Sequence, residues 1–88
     1  MKRYNITFKG RVQGVGFRYK SFKLANELNL SGDVHNKLNG DVDLNIQGGQ
    51  STIDLFLEKL KDDRFIRIDD MEIVEKNLVE DEKEFKLS

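Results

Sequence analysis

The hydrophobic period of the chain changes at a cluster of glycines, and this change constrains the fold more than any other feature. In "YNITFKG" at residues 4–10, apolar and polar side chains alternate, which predicts a strand with one buried face. From Phe17 onwards apolar side chains recur at helical spacing, which predicts an amphipathic helix ending near Asn29 in a left-handed cap. Between the two lies "GRVQGVGFR" at residues 10–18, with three of the 7 glycines. Glycine is favoured where φ is positive or where another group approaches the main chain closely, so a sharp turn or a bound group is expected here.

A β-hairpin is predicted for the segment "DVHNKLNGDVDLNIQGG". The apolar residues of each strand lie on alternate positions, and their parity, odd or even, determines which loop length brings the apolar faces together. A two-residue loop at the Asn-Gly pair would place apolar residues of one strand opposite polar residues of the other. A three-residue loop that ends at Gly40 in a left-handed bulge position places Val34 opposite Leu44. It also places Asn36 opposite Val42, so Asn36 is expected as a polar residue on the apolar side.

The rest of the chain predicts one more helix and two short strands. "QSTIDLFLEKLKDD" repeats apolar residues at helical spacing and begins with Ser51 and Asp54 in the spacing of a capping box. "IRIDDMEIVEKNLV" and the tail "EFKLS" have the pattern of strands. Because strand-helix-strand connections are right-handed, this order predicts a ferredoxin-like α/β sandwich (βαββαβ), an antiparallel sheet with two helices on one face. We expect residues 1–88 to form a single domain.

In this fold the first two strands run parallel, so their carboxyl ends lie at the same edge of the sheet. The glycine-rich loop, the first turn of the first helix and Asn36 should therefore meet there. Free N–H groups at a helix N-terminus and in a glycine-bearing loop suit a phosphate, and the planar guanidinium of Arg18 can bind two of its oxygens. The segment lacks the Lys-Ser/Thr of the P-loop, and it has Tyr19 where the dinucleotide fingerprint needs glycine. Nucleotide binding is therefore disfavoured.

Composition argues against several classes of function. The 15 basic and 16 acidic residues give a net charge of −1, which does not support a general affinity for nucleic acid or anionic membranes. No apolar run approaches the roughly 18 residues of a membrane span, and the start of the chain does not resemble a signal peptide. With no Cys and a single His, neither a disulfide framework nor a zinc site is expected, and a cytoplasmic location is the default.

The other polar residues near the predicted site have structural interpretations. His35 should point to the face of its strand opposite Asn36, and Asp41 and Asp43 are expected to solvate the outer face of the sheet. For Asn36 two interpretations stay open, an amide satisfied by neighbouring backbone or a functional group beside the glycine-rich loop. A general base is therefore missing from the predicted site.

A reaction that uses neither a base nor a metal must begin with a good leaving group. An acyl phosphate expels a carboxylate, whose conjugate acid has a pKa of about 4, so no acid is needed to protonate it. Positioning and charge stabilisation then suffice for catalysis.

The quoted segments resemble the acylphosphatase family. The match rests on "GRVQGVGFR", the Asn of "GDVHN" and the following "NGDVDLNIQGG"; it runs through the whole chain and is densest over residues 10–49. The resemblance implies hydrolysis of a small acyl phosphate without metal or cofactor, with the substrate's own phosphate accepting the proton of the attacking water. It implies that Arg18 binds the phosphate and that Asn36 orients the water. It also implies a cradle of backbone amides for this phosphate, or for a phosphate or sulfate ion, from Arg11, Val12, Gln13, Gly14, Val15 and Gly16.

Two departures from the family pattern concern packing more than chemistry. Asp33 stands where the family often carries an aromatic or other bulky residue, and the tail "FKLS" lacks the terminal aromatic of many members. We expect the protein to be a monomer.

Two other functions stay open. "GVGFRY" resembles the aromatic RNA-binding motif of this kind of sandwich, but that motif lies on a central strand, whereas this segment enters a helix. The open face of the third strand should present only polar residues, namely Asp41, Asp43, Asn45 and Gln47. A base would find no ring to stack on, so no nucleic-acid partner is expected. The second alternative is a module that keeps the phosphate cradle without catalysis, against which the intact Arg18 and Asn36 argue.

Overall fold

A computed structural model describes the whole chain, residues 1–88, as five strands and two helices. The elements follow one another as β1 (Lys2–Arg11), α1 (Phe17–Glu27), β2 (Ser31–Asn36), β3 (Val42–Gly48), α2 (Gln50–Lys61), β4 (Arg67–Lys76) and β5 (Phe85–Leu87). The strands form one sheet in the order β4-β1-β3-β2-β5. The predicted βαββαβ order and the ferredoxin-like fold class are confirmed, and β5 is the strand predicted in the tail "EFKLS".

The sheet is antiparallel over four strands and parallel at one edge. β1 pairs antiparallel with β3 and with β4, and β2 pairs antiparallel with β3. β5 joins β2 in parallel, which makes the complete sheet mixed. β4 has 10 residues and is therefore longer than the short strand that its sequence pattern predicts.

The β2–β3 hairpin has the predicted register. Val34 pairs with Leu44, and Asn36 at the end of β2 pairs with Val42 at the start of β3. Gly40 has a φ of 97°, in the left-handed region predicted for it. The parity of the apolar residues sufficed for this prediction because a slip of one residue would turn every side chain to the other face.

The first helix ends as predicted, but the second begins differently. Asn29 follows α1 with a φ of 57°. The capping box predicted from Ser51 and Asp54 is wrong, because the residue before α2 is Gly49 and no side chain caps the helix. Ser51 lies inside the first turn, since Ile53 N–H already donates to the Gly49 carbonyl at 3.0 Å.

One hydrophobic core joins a single face of the sheet to both helices. Its fully buried members include Ile6, Phe8, Phe17, Leu44, Phe56 and Phe85. The rings of Phe8 on β1 and Phe17 on α1 lie 4.9 Å apart between centroids, so both ends of the glycine-rich loop are anchored in the core. Neither helix is long and apolar enough to cross a membrane.

Gly10, the first glycine of the cluster, allows β4 to approach β1 closely. The pairing of β1 with β4 shifts register between Lys9 and Gly10. A Cβ atom on Gly10 would lie 2.3 Å from the carbonyl oxygen of Arg67, so no other residue fits unless β4 moves away.

The face of the sheet away from the helices is polar, and one end of it is covered. Gln47, predicted on an open face, is only 5% exposed. Its side-chain amide donates to the Val79 carbonyl and accepts from the Val79 N–H. Beside it, Arg3 forms an ion pair with Glu82 at 2.7 Å. The prediction of an open face is wrong at this end because the β4–β5 connection crosses the sheet there.

Candidate active site

A cleft of about 220 Å³ opens where β1 and β2 end, at the predicted edge of the sheet. Nine residues line it, namely Val12, Gln13, Gly14, Gly16, Phe17, Arg18, Tyr19, Asn36 and Leu87. Arg18 is the only charged residue among them. The structure thus brings together the glycine-rich loop, the first turn of α1 and the last residue of β2.

The loop between β1 and α1 turns at two glycines. Gly14 and Gly16 have φ values of 74° and 79°, a conformation that other residues adopt only at a cost. Gly16 directly precedes α1, whose first turn has neither a capping side chain nor an acidic residue. The N–H groups of this turn therefore lack a side-chain acceptor, and the positive end of the helix dipole lies at the cleft.

Arg18 extends from the first turn of α1, and a main-chain contact holds its guanidinium. Nη1 donates to the main-chain oxygen of Ser88 at 2.6 Å. Ser88 is itself bound to β2, because its N–H and its hydroxyl both donate to the Val34 carbonyl, at 3.1 and 3.2 Å. A guanidinium has five N–H donors, so this contact leaves others available to an anion.

Asn36 presents an unpartnered amide to the cleft. Its side chain is exposed at the end of β2, and no side-chain hydrogen bond within the protein involves it. The interpretation in which neighbouring backbone satisfies this amide therefore has no support. The amide is free to bind a water molecule or a polar group of a ligand.

Gln13 makes a contact that the sequence did not predict. Its side-chain Nε2 donates to the carbonyl of Lys37 at 2.7 Å and to the carbonyl of Asp41 at 2.8 Å. These two residues flank the three-residue loop of the β2–β3 hairpin. The glycine-rich loop is thereby joined to the hairpin that carries Asn36.

The cleft lining differs from the predicted set in five residues. Arg11 does not line it, because Arg11 is the last residue of β1 and pairs with Arg67 of β4. Val15 is partly buried against the core. Three residues that the sequence did not predict for the site also line the cleft: the buried Phe17, Tyr19 and Leu87. Tyr19 and Leu87 are 63% and 45% exposed. The position of Tyr19 in the first helical turn was an available signal, whereas nothing in the local sequence marks Leu87.

Lys9 on β1 and Asp41 before β3 form an ion pair, with 2.9 Å between Nζ and Oδ2. The hydrogen bond from Lys9 holds the pKa of Asp41 below its ordinary value of 3.8, and it raises the pKa of Lys9 above 10.5. Asp43 accepts hydrogen bonds from Asn5 and Thr7. The prediction that Asp41 and Asp43 simply solvate the outer face is therefore wrong, because neighbouring side chains bind both carboxylates.

Neither a histidine nor a carboxylate lines the cleft. The His35 side chain is 47% exposed and lies 3.6 Å from the Asp43 carboxylate, which belongs to the polar face of the sheet. Nowhere in the chain do three or more His, Cys, Asp or Glu side chains form a group that could hold a metal ion. The groups in the cleft are suited to binding an anion and orienting a small polar molecule.

Fold and cleft together define a small α+β protein with a glycine-rich loop and an uncapped helix N-terminus at a cleft between its first strand and first helix. Comparison with known proteins specifies the family. The sequence profile of the family described as acylphosphatase matches residues 4–87. An acylphosphatase of Geobacillus kaustophilus is 38% identical over 88 residues, which cover 99% of this chain and 94% of that protein.

Solved structures agree with the sequence match. The crystal structure of acylphosphatase from Bacillus subtilis has a TM-score of 0.90 and 32% identity, and the match covers 100% of this chain and 99% of that one. Full-length HypF, solved in a phosphate- and nucleotide-bound form, matches with a TM-score of 0.87 and 30% identity over 99% of this chain but only 12% of its own. The chain therefore belongs to the acylphosphatase family, and it is a hydrolase of a family that acts on small acyl phosphates.

Proposed function

We propose that this protein hydrolyses small acyl phosphates to a carboxylate and inorganic phosphate, without a metal ion or cofactor. It acts as a monomer whose single domain spans residues 1–88. The observation that carries the proposal is the meeting in one cleft of Arg18, the uncapped first turn of α1 and the unpartnered amide of Asn36. Membership of the family supports the reaction class.

The phosphate group binds between the glycine-rich loop and Arg18. Backbone N–H groups of the loop from Val12 to Gly16 surround its oxygens, and the left-handed conformations of Gly14 and Gly16 favour a concave arrangement of successive amides. The guanidinium supplies the only full positive charge in the cleft. An inorganic phosphate or sulfate ion binds in the same place because it presents the same oxygens.

Asn36 orients the water molecule that attacks phosphorus. A new P–O bond forms to this water while the P–O bond to the acyl group breaks, and the electron pair leaves with the carboxylate. The proton of the water passes to a phosphate oxygen of the substrate, so the enzyme supplies no general base. Charge that develops on the phosphate oxygens is stabilised by donors already held in place, which is how such sites lower a barrier.

The proposal is tested by measuring the rate of benzoyl phosphate hydrolysis with and without a chelator. The proteins compared are the wild type, Arg18→Ala and Arg64→Ala. Arg64 is a matched control, because it is an arginine outside the cleft whose guanidinium lies over the Phe65 ring. We expect hydrolysis that resists the chelator, persists in Arg64→Ala and is lost in Arg18→Ala. Hydrolysis abolished by the chelator contradicts the metal-free reaction. A folded wild-type protein that binds phosphate but hydrolyses nothing shows that the cradle serves recognition.

A further inference from the structure

The side chain of Gln13 joins the glycine-rich loop to the β2–β3 hairpin. Its Nε2 lies 2.7 Å from the carbonyl oxygen of Lys37 and 2.8 Å from that of Asp41. Carbonyl oxygens only accept hydrogen bonds, so the group that faces them must be the amide nitrogen with its two N–H donors. Both side-chain N–H donors of Gln13 therefore form hydrogen bonds to the hairpin.

The two carbonyls belong to the neck of the hairpin, which we define as Lys37 and Asp41. Lys37 N–H donates to the Asp41 carbonyl at 2.8 Å, which closes the neck. The Lys9 ammonium on β1 binds the Asp41 carboxylate at 2.9 Å and holds the neck from a second side. Lys37 directly follows Asn36 in the chain. The Gln13 side chain therefore bonds the loop to the residue that directly follows Asn36.

We infer that Gln13 is a positioning residue for acyl phosphate hydrolysis, whose side chain holds the phosphate-binding loop at the distance from Asn36 that aligns the attacking water with phosphorus. This inference rests on the proposed function. It concerns the side chain of Gln13, whereas the phosphate cradle uses the backbone amide of that residue. The side chain acts through the neck and touches no substrate.

A positioning role and a purely structural role lead to different kinetics. If Gln13 only stabilises the fold, its loss lowers the free energy of unfolding and leaves kcat per folded molecule unchanged. If it positions the loop, phosphate still binds to the amides and to Arg18, but the water on Asn36 is misaligned. Because a displacement of about 1 Å can lower a rate by about 10²-fold, we expect kcat to fall by roughly 10- to 100-fold. The inhibition constant of inorganic phosphate should change by less than about threefold, since its own ligands are intact.

Two variants and one control test this. Gln13→Met keeps the side-chain length and removes both donors, and Gln13→Asn keeps both donors on a shorter side chain. Gln47→Met is the matched control, because it removes another long-range side-chain bond to a main-chain carbonyl, that of Val79 at 3.0 Å. This bond lies at the opposite end of the sheet from the cleft. For each protein we would measure kcat on benzoyl phosphate, inhibition by inorganic phosphate, and urea unfolding, with rates expressed per folded molecule.

The expected result is a loss of kcat in both Gln13 variants, with near wild-type phosphate inhibition and with full kcat in Gln47→Met. Wild-type kcat in either folded Gln13 variant overturns the inference. Parallel losses of kcat and phosphate affinity also overturn it, because the loop itself would then be damaged. An inactive wild-type protein refutes the proposed function and this inference together, whereas an active one confines any failure to Gln13.

Discussion

The guanidinium of Arg18 donates to the main-chain oxygen of Ser88 at 2.6 Å, and Ser88 in turn binds the Val34 carbonyl of β2. The only charged residue lining the cleft is thereby connected to the strand that ends in Asn36. A side chain held in this way loses less conformational freedom when a ligand binds. The rest of the planar donor fork stays available for phosphate oxygens.

Replacing Arg18 by lysine should reveal how much the planar donor geometry of the guanidinium contributes to the rate of hydrolysis. Arg18→Lys keeps the positive charge but loses the planar geometry that binds two oxygens at once, so it should recover little of the activity lost in Arg18→Ala. For Arg18→Ala we expect a loss of at least about 3–4 kcal/mol of transition-state stabilisation, or about 10²- to 10³-fold in rate. Steady-state kinetics on benzoyl phosphate measure both. Wild-type activity in Arg18→Ala would refute the assignment of Arg18.

Replacing Asn36 by alanine should abolish turnover and leave phosphate binding nearly intact. The proposed partner of this amide is the attacking water, and no side-chain hydrogen bond of the fold depends on it. The matched control is Asn45→Ala, which removes a strand amide bonded to Asp33 on the polar face. Inhibition by inorganic phosphate reports binding separately from turnover. If Asn36→Ala weakens phosphate inhibition as much as it lowers kcat, Asn36 binds phosphate and does not orient water.

Replacing Gly16 by alanine should weaken phosphate binding and the fold together. Gly16 precedes α1 with a φ of 79°, and this conformation costs a residue with a Cβ about 1–2 kcal/mol. Gly49 precedes α2 with a φ of −69°, so Gly49→Ala is the matched control at the other helix and should cost less. Urea unfolding and phosphate inhibition measure the two effects. Equal losses in both variants would show that helix capping, and not φ, accounts for the change.

Removing the ring of Phe8 should strongly destabilise the protein. Phe8 on β1 is fully buried, and its ring centroid lies 4.9 Å from that of Phe17 at the start of α1. Truncation of such a side chain typically costs about 3–5 kcal/mol, so Phe8→Ala is expected to unfold at much lower urea concentration. Phe8→Leu refills much of the volume and should lose less. An unchanged urea midpoint in Phe8→Ala would contradict this account of the core.

Stability in acid should depend on Asp63. The Lys20 ammonium lies 3.0 Å from this carboxylate, and that hydrogen bond, aided by the Phe65 N–H, lowers the pKa of Asp63 below its ordinary 3.8. Because the folded-state pKa is the lower one, the stabilisation is complete above pH 3.8 and is lost as the pH falls towards the folded-state value. Lys20→Met should therefore be less stable than wild type near neutral pH, with the difference shrinking below pH 3.8.

Urea unfolding at several pH values measures this difference. Lys23→Met is the control, because Lys23 lies on the same helix, is exposed and forms no ion pair. A difference between Lys20→Met and wild type that persists unchanged at the lowest pH would contradict the assignment to Asp63.

Local patterns in the sequence determined the order of the elements and the hairpin register. Val34 opposite Leu44 follows from the period of two residues in a strand, and Asn36 then falls at the end of β2. The placement of Arg18 and Asn36 at one edge of the sheet follows from the element order, because two strands joined by a helix run parallel and their carboxyl ends lie at the same edge. The capping-box pattern at Ser51 gave a wrong helix start, because Gly49 precedes α2 without a side-chain cap.

The sequence by itself determined which segments form strands and helices and which of them meet, because periodicity and handedness act between residues close along the chain. Only the tertiary structure decided the contacts that hold the site. Gln13 reaches across 24 and 28 positions to the hairpin neck, and Arg18 reaches across 70 to Ser88. The burial of Gln47 by the β4–β5 connection is of the same kind. Such contacts depend on the three-dimensional placement of distant segments, which no local pattern of apolar and polar residues encodes.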